Sequence, residues 1–202
     1  MILFSDAVFA IAITLLVIEI KVPPIDRHIA TDKMLLEALD ELVPKFIGFI
    51  LSFFIIGLYW IIHHRMFGYV VNYTHKLLWL NLIFLLAVVL MPFSTAFYSE
   101  YITHLLKVPM IIYTSNIVFL GIMNFTLWRY LCKPGRGLTE GVGESERRYF
   151  SFRAAIVPIV FVLIAVIYLT VNPRYAVWIP AFVPVVIRLY KGYYFRKHKI
   201  KV

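Results

Sequence analysis

Long apolar runs separated by polar connections dominate this chain. A membrane-spanning helix needs about 20 mostly apolar residues. Six stretches meet that requirement, at roughly 2–21, 42–62, 77–98, 108–131, 154–171 and 175–195. Pro23-Pro24 stops the first of them, because proline has no amide hydrogen to continue the ladder. The connection from Pro23 to Glu41 is polar and mixed in charge. Within it Thr31 or Asp32 can cap a short amphipathic helix carrying Met34, Leu35, Ala38, Leu39 and Leu42 on one face. That helix is expected as a separate outer element packed on the spans. Lys133–Arg148 is Gly-rich and charged and reads as a linker. Asn172-Pro173-Arg174 joins the last two spans as a tight hairpin. There is no internal repeat, so residues 1–202 are expected to form a single transmembrane domain of the all-α class.

Composition strengthens this reading. The 202 residues are 62% apolar and 15% charged, against about half and a quarter in soluble domains. A net charge of +9 raises the possibility of a nucleic-acid surface, but its distribution argues otherwise. Of the 20 Lys and Arg, 14 lie in alternate connections: Arg65 and Lys76, then six from Arg129 to Arg153, then six from Arg188 to Lys201. The positive-inside rule makes that side cytoplasmic. An even number of spans with both termini inside follows, in an integral protein of a plasma membrane, with the bilayer and not nucleic acid as partner.

Few groups invite chemistry. Cys132 is the single cysteine, so no internal disulfide forms, and a reduced, inert thiol is expected. His63 and His64 are adjacent, and neighbours on a helix point about 100° apart, so they rarely ligate one ion; no metal site is expected. No nucleophile–base pair, phosphate loop or paired-carboxylate site stands out, so no enzyme activity and no cofactor are expected. Hydropathy alone does not separate a signal peptide from a spanning helix at residues 1–20. The apolar run Ala7–Ile18 is 12 residues long, short enough for a signal peptide, yet no basic segment precedes it and Asp6 interrupts the start of the segment. The abrupt start of the helix at Met1 leads us to expect a few residues upstream.

The first helix carries the unusual pattern. Asp6, Glu19 and Lys21 stand in a segment where a plain anchor has none, and charges at membrane depth usually face a protein interior or an aqueous cavity. Ile11, Leu15 and Ile18 fall within a sector of about 60°; Phe4, Val8 and Val22 extend that stripe. Asp6 lies about 140° from Ile11. Ser5 and Glu19 flank the stripe on one side and Thr14 on the other. Asp6 and Ser5 are expected to brace this helix against the second and third, with Trp60, His63 and Asn81 as candidate partners.

The run Phe4-Ser5-Asp6 followed by AVFAIAITLLVIEIKVP resembles the signature of the endosomal and lysosomal potassium channel family, in its prokaryotic single-repeat branch. The family motif is Arg-x-x-x-Phe-Ser-Asp, and its Arg position falls one residue before Met1. Tyr59-Trp60-Ile61-Ile62-His63-His64-Arg65 is a second match, and the six-span layout with a long loop after the fourth span is a third. The resemblance covers most of the chain in architecture, with its motifs confined to about 30 residues. It implies a homotetramer of six-span subunits whose first helices line a central pore for K⁺ and other monovalent cations. No Thr-Val-Gly-Tyr-Gly filter is present. By match to the motif, Ile11 is the first apolar layer of the constriction, and Leu15 and Ile18 are the next. Phe4, Ser5, Asp6, Trp60 and His63 are then the structural motif.

Apolar constrictions gate by dewetting, and K⁺ sheds water at lower cost than Na⁺. Glu19, near the outer end, is expected either to gather cations at the pore mouth or to pair with Lys21 or a loop base. Two other functions fit six spans. A secondary transporter or proton pathway would use Asp6 and Glu19, although such proteins usually show repeats and broken helices. A non-conducting membrane scaffold would show no flux.

Overall fold

The computed structural model describes residues 1–26 and 28–170. The expected sixth span at 175–195 lies outside the described residues. The described fold is helical: α1 (Ile2–Ile18), α2 (Asp32–Gly68), α3 (His75–Val89), α4 (Met91–Tyr101), a 3-10 turn (Ile102–His104), α5 (Lys107–Leu131) and α6 (Glu144–Thr170). Among the described residues, four helical stretches are long and apolar enough to cross a membrane. They are α2, the rod from His75 to His104, α5, and α6 from Glu146. α1 is shorter, at 17 residues.

Three elements depart from the sequence reading. The outer amphipathic helix and the second span are one continuous helix of 37 residues. Thr31 caps it, its Oγ1 accepting from the Met34 amide at 3.3 Å. No breaker follows that cap: Pro44 removes one backbone donor without ending the helix. At 1.5 Å per residue the rod is about 56 Å long, well over the roughly 30 Å of hydrocarbon, so part of it stands outside the bilayer. The third span is interrupted at Leu90, where α3 ends and α4 begins. Pro92 in the first turn of α4 has no amide to donate one turn back. Leu90 itself stays right-handed helical (φ −77°, ψ −12°), so the rod continues.

The third departure is the loop after α5. It is pinned where a linker was expected, and its last residues, from Glu144, belong to α6. The Val71 amide donates to Leu138 O at 3.0 Å, and the Glu140 amide donates to Tyr69 O at 3.0 Å. Asn72 Nδ2 donates to Gly137 O at 2.8 Å, and Leu138 is buried. Tyr69 hydroxyl donates to Glu146 at 2.9 Å; burial first, and then this carboxylate, raises its pKa. Cys132, just past α5, is half-buried and its thiol is pushed up to about 11 by burial, with Arg147 pulling the other way. Little thiolate exists at neutral pH.

The core runs between the helices, with Phe9, Tyr59, Phe84, Tyr113, Trp128 and Phe161 fully enclosed. Two glycines set close approaches. A Cβ on Gly48 of α2 would overlap Ser99 Oγ of α4, and one on Gly121 of α5 would lie 2.5 Å from Pro158 Cγ of α6. The proline ring is rigid and cannot yield. Gly121→Leu is therefore expected to force α5 and α6 apart and to cost about 1–3 kcal/mol, the usual range for overpacking. Thermal unfolding of the purified protein in detergent checks this, and an unchanged midpoint would contradict it.

Candidate functional site

α1 presents two distinct faces. Ser5, Phe9, Ala12 and Leu16 are buried; at helical spacing they form one stripe, which packs on α2, α3 and α4. Phe4, Ile11, Leu15 and Ile18 keep 57, 59, 38 and 66% of their surface exposed within a single chain. The apolar stripe read from spacing thus lies on the face that α1 leaves uncovered, a wider face that also carries Leu3, Ala10 and Val17. Thr14 is exposed beside it, and its Oγ1 donates to Ile11 O at 2.9 Å. Its hydroxyl is turned back on the helix, a common answer for Ser and Thr inside helices.

Two polar clusters hold the N-terminal end of α1. In the first, Asn81 Nδ2 of α3 donates to Ser5 Oγ at 3.0 Å. Asn81 Oδ1 meets His63 Nε2 of α2 at 2.8 Å. An amide oxygen only accepts, so His63 must carry a proton on Nε2. Ser5 and His63 are fully buried and Asn81 nearly so. The His63 ring lies between Phe67, at 4.2 Å, and Phe84, at 5.3 Å. This aromatic box fixes the ring, while His63 Nδ1 and Tyr59 hydroxyl are buried with no partner among the described residues.

In the second cluster, Trp60 Nε1 donates to Asp6 Oδ1 at 2.8 Å. His64 Nδ1 lies 3.4 Å from Asp6 Oδ2. Of the three candidate partners of Asp6 and Ser5, Trp60 bonds Asp6, Asn81 bonds Ser5, and His63 bonds Asn81. His64 was not foreseen. Its signal was available: Trp60 and His64 are one turn apart on α2, so they share a face. Adjacent His63 and His64 serve different partners, as their roughly 100° separation requires.

Glu19 is the C-cap of α1 (φ −72°, ψ −14°) and is exposed. It lines a cavity of about 410 Å³ with Lys21, Lys45, Thr95, Ser99 and Glu100. Lys45 pairs with Glu100 at 2.7 Å; among the described residues no ion pair reaches Glu19. No group of three His, Cys, Asp or Glu side chains is gathered for a metal among the described residues.

Residues 1–92, which hold α1, both of its polar clusters and the start of α4, match the family model described as endosomal/lysosomal potassium channel TMEM175. A potassium channel of Streptomyces collinus is 37% identical over 155 residues, covering 76% of this chain and 73% of that protein. The chain belongs to the TMEM175 family. The crystal structure of a lysosomal potassium-selective channel TMEM175 homolog from Chamaesiphon minutus superposes with a TM-score of 0.74 at 29% identity. That match covers 94% of this chain and 93% of the other. The endosomal/lysosomal proton channel TMEM175 of Gallus gallus is 34% identical over 133 residues, 62% of this chain but 26% of that protein. As a TMEM175 family member the chain is an integral membrane ion channel and not an enzyme, and the family needs no cofactor.

Proposed function

We propose that this chain forms a homotetrameric, K⁺-permeable channel, six spans per subunit, with four copies of α1 around one central axis. Ile11, Leu15 and Ile18 form successive apolar layers of the constriction, and Ile11 is its first collar. The observation that carries this reading is the exposure of these side chains on α1 while Ser5, Phe9, Ala12 and Leu16 anchor the opposite side of the helix. Contiguous exposed apolar surface of this kind marks either lipid contact or a partner, and the relative names favour a pore. Potassium channel is the name of the Streptomyces protein, and potassium-selective channel that of the Chamaesiphon homolog.

Ser5, Asp6, Trp60 and His63 hold the inner end of α1 so that its free face meets the axis, with Phe4 at the start of the stripe. Glu19, unpaired among the described residues, adds negative charge at the mouth and concentrates cations there. Both termini face the cytoplasm of a prokaryotic cell, and the charge distribution along the chain supports this. Arg65 ends α2 and Arg129 ends α5 at one end of the bundle. Lys21 and Lys45 line cavities at the other.

Purified protein in liposomes with a K⁺ gradient should pass K⁺ at channel rates, and Glu19→Gln should lower the conductance selectively at low ionic strength. Absence of flux would favour a scaffold. A second reading is H⁺ conduction, favoured by the proton-channel name of the Gallus relative. A pH dye inside the same liposomes separates the two ions.

A further inference from the structure

At the end of the bundle where α2 meets α3, two cations gather on one aromatic ring. Arg136 places its guanidinium carbon 4.0 Å from the centroid of Tyr130, and Lys76 Nζ lies 5.8 Å from the same centroid. The two charges are therefore within about 10 Å of each other. Neither has a carboxylate partner among the described residues. Attraction to the ring offsets part of their mutual repulsion, but it neutralises neither charge. An anion would.

The local backbone holds this arrangement in place. Gly135 and Gly137, on either side of Arg136, have φ of +80° and +59°, values a side chain rarely allows. The loop that carries Arg136 is tied to the α2–α3 turn through Leu138 O and Gly137 O. Arg136 Nη1 donates to Tyr130 O at 3.4 Å, and Tyr130 hydroxyl meets Thr74 Oγ1 at 2.9 Å. One edge of the guanidinium is thus held while its other N–H groups stay unassigned. Lys76 is exposed and can swing toward a ligand. Its place in the first turn of α3 gains nothing from the helix itself, since cations are disfavoured at that end.

The level of the site names the ligand. Tyr73 and Trp79 are exposed beside it, at 50 and 66%. Exposed Tyr and Trp flanking a span mark the membrane–water interface. At that depth the abundant anion is the phosphate of a lipid headgroup, and basic pockets between spans take such headgroups.

We infer that Lys76 and Arg136, gathered on Tyr130, bind the phosphate headgroup of an anionic membrane lipid. The guanidinium takes the phosphate oxygens in its fork, Lys76 supplies a second charge, and the acyl chains lie along the exposed apolar surface of α3. The site depends on the chain spanning a membrane and is independent of which ion it conducts.

Native mass spectrometry of the full chain in detergent, titrated with phosphatidylglycerol, tests this. Phosphatidylcholine of the same acyl chains is the reference, because its headgroup carries no net charge. Phosphatidylglycerol should bind at least tenfold more tightly. Lys76→Gln and Arg136→Gln should each weaken it roughly fivefold, the worth of one base near the surface, while Arg136→Lys, which keeps the charge and loses the fork, should fall between wild type and Arg136→Gln. Arg136→Gln can loosen its loop, so exposed Lys76 carries the decision. Lys33→Gln, an exposed residue paired with Glu37 at the far end, should change nothing. Equal binding of the two lipids, unchanged binding in Lys76→Gln, or an equal loss in Lys33→Gln would overturn the site. Glycerol phosphate displacing the lipid at equal concentration would overturn the lipid as its source.

Discussion

Ile11→Asn is expected to abolish most of the preference for K⁺ over Na⁺ and to raise total conductance. In the proposed tetramer four isoleucine side chains form the first collar, and an apolar ring excludes water unless it opens. An ion crossing it gives up part of its hydration to a surface that offers nothing in return. Na⁺ holds its water more tightly than K⁺, so the collar obstructs Na⁺ more. Four amides in place of four alkyl groups would wet the ring and supply replacement oxygens for either ion. Bi-ionic reversal potentials in planar bilayers measure the outcome. Each tenfold loss of selectivity moves a monovalent reversal potential by about 59 mV. The substitution is on an exposed face, so the fold should survive it, and an unchanged reversal potential would remove Ile11 from the selectivity argument.

The second large effect is expected from Asn81→Leu. Leucine matches the amide in size and removes both of its hydrogen bonds at once, to Ser5 and to His63. Those partners are fully buried, and each group left without a partner costs about 1–3 kcal/mol. A combined loss of about 2–6 kcal/mol should lower the unfolding midpoint by roughly 5–20 °C. It should also free the N-terminal end of α1, seen as a smaller fraction of the proposed tetramer and an altered current. Asp6→Ala makes a useful contrast. Asp6 is about a quarter exposed and His64 about half, so water replaces what is lost and the stability change should be smaller. If Asn81→Leu melts like the wild type, the buried cluster is not what holds α1.

How far the sequence could be read depended on whether a feature was local. The stripe of Ile11, Leu15 and Ile18 follows from the helical period, but the buried face did not: Ser5, read as flanking that stripe, is enclosed with Phe9, Ala12 and Leu16. The partners of Ser5 and Asp6 were legible as residue types but not as pairs. Trp60, His63, His64 and Asn81 are 18 to 76 residues from the groups they meet, and their assignment depends on how α2 and α3 turn against α1. The fusion of the outer helix with the second span was hidden because a cap at Thr31 and an apolar onset at 42 look like two beginnings. Nothing between them forces an end. The loop after α5 misled for the opposite reason. Its glycines and charges suit a linker, whereas its backbone is paired with the α2–α3 turn about 70 residues earlier.

Thr14 carries one more consequence. α1 is unbroken from Ile2 to Ile18, so its interior carbonyl oxygens accept from its own turns, and Thr14 donates its hydroxyl proton to Ile11 O. In the proposed pore the layers at Ile11, Leu15 and Ile18 offer an ion no oxygen ligand of their own to exchange for water. Across those layers the proposed mechanism has the cation bring its coordination shell with it, sorted by the work of deforming that shell. Such a conduit resembles a sieve for small aqua complexes more than a chain of binding sites.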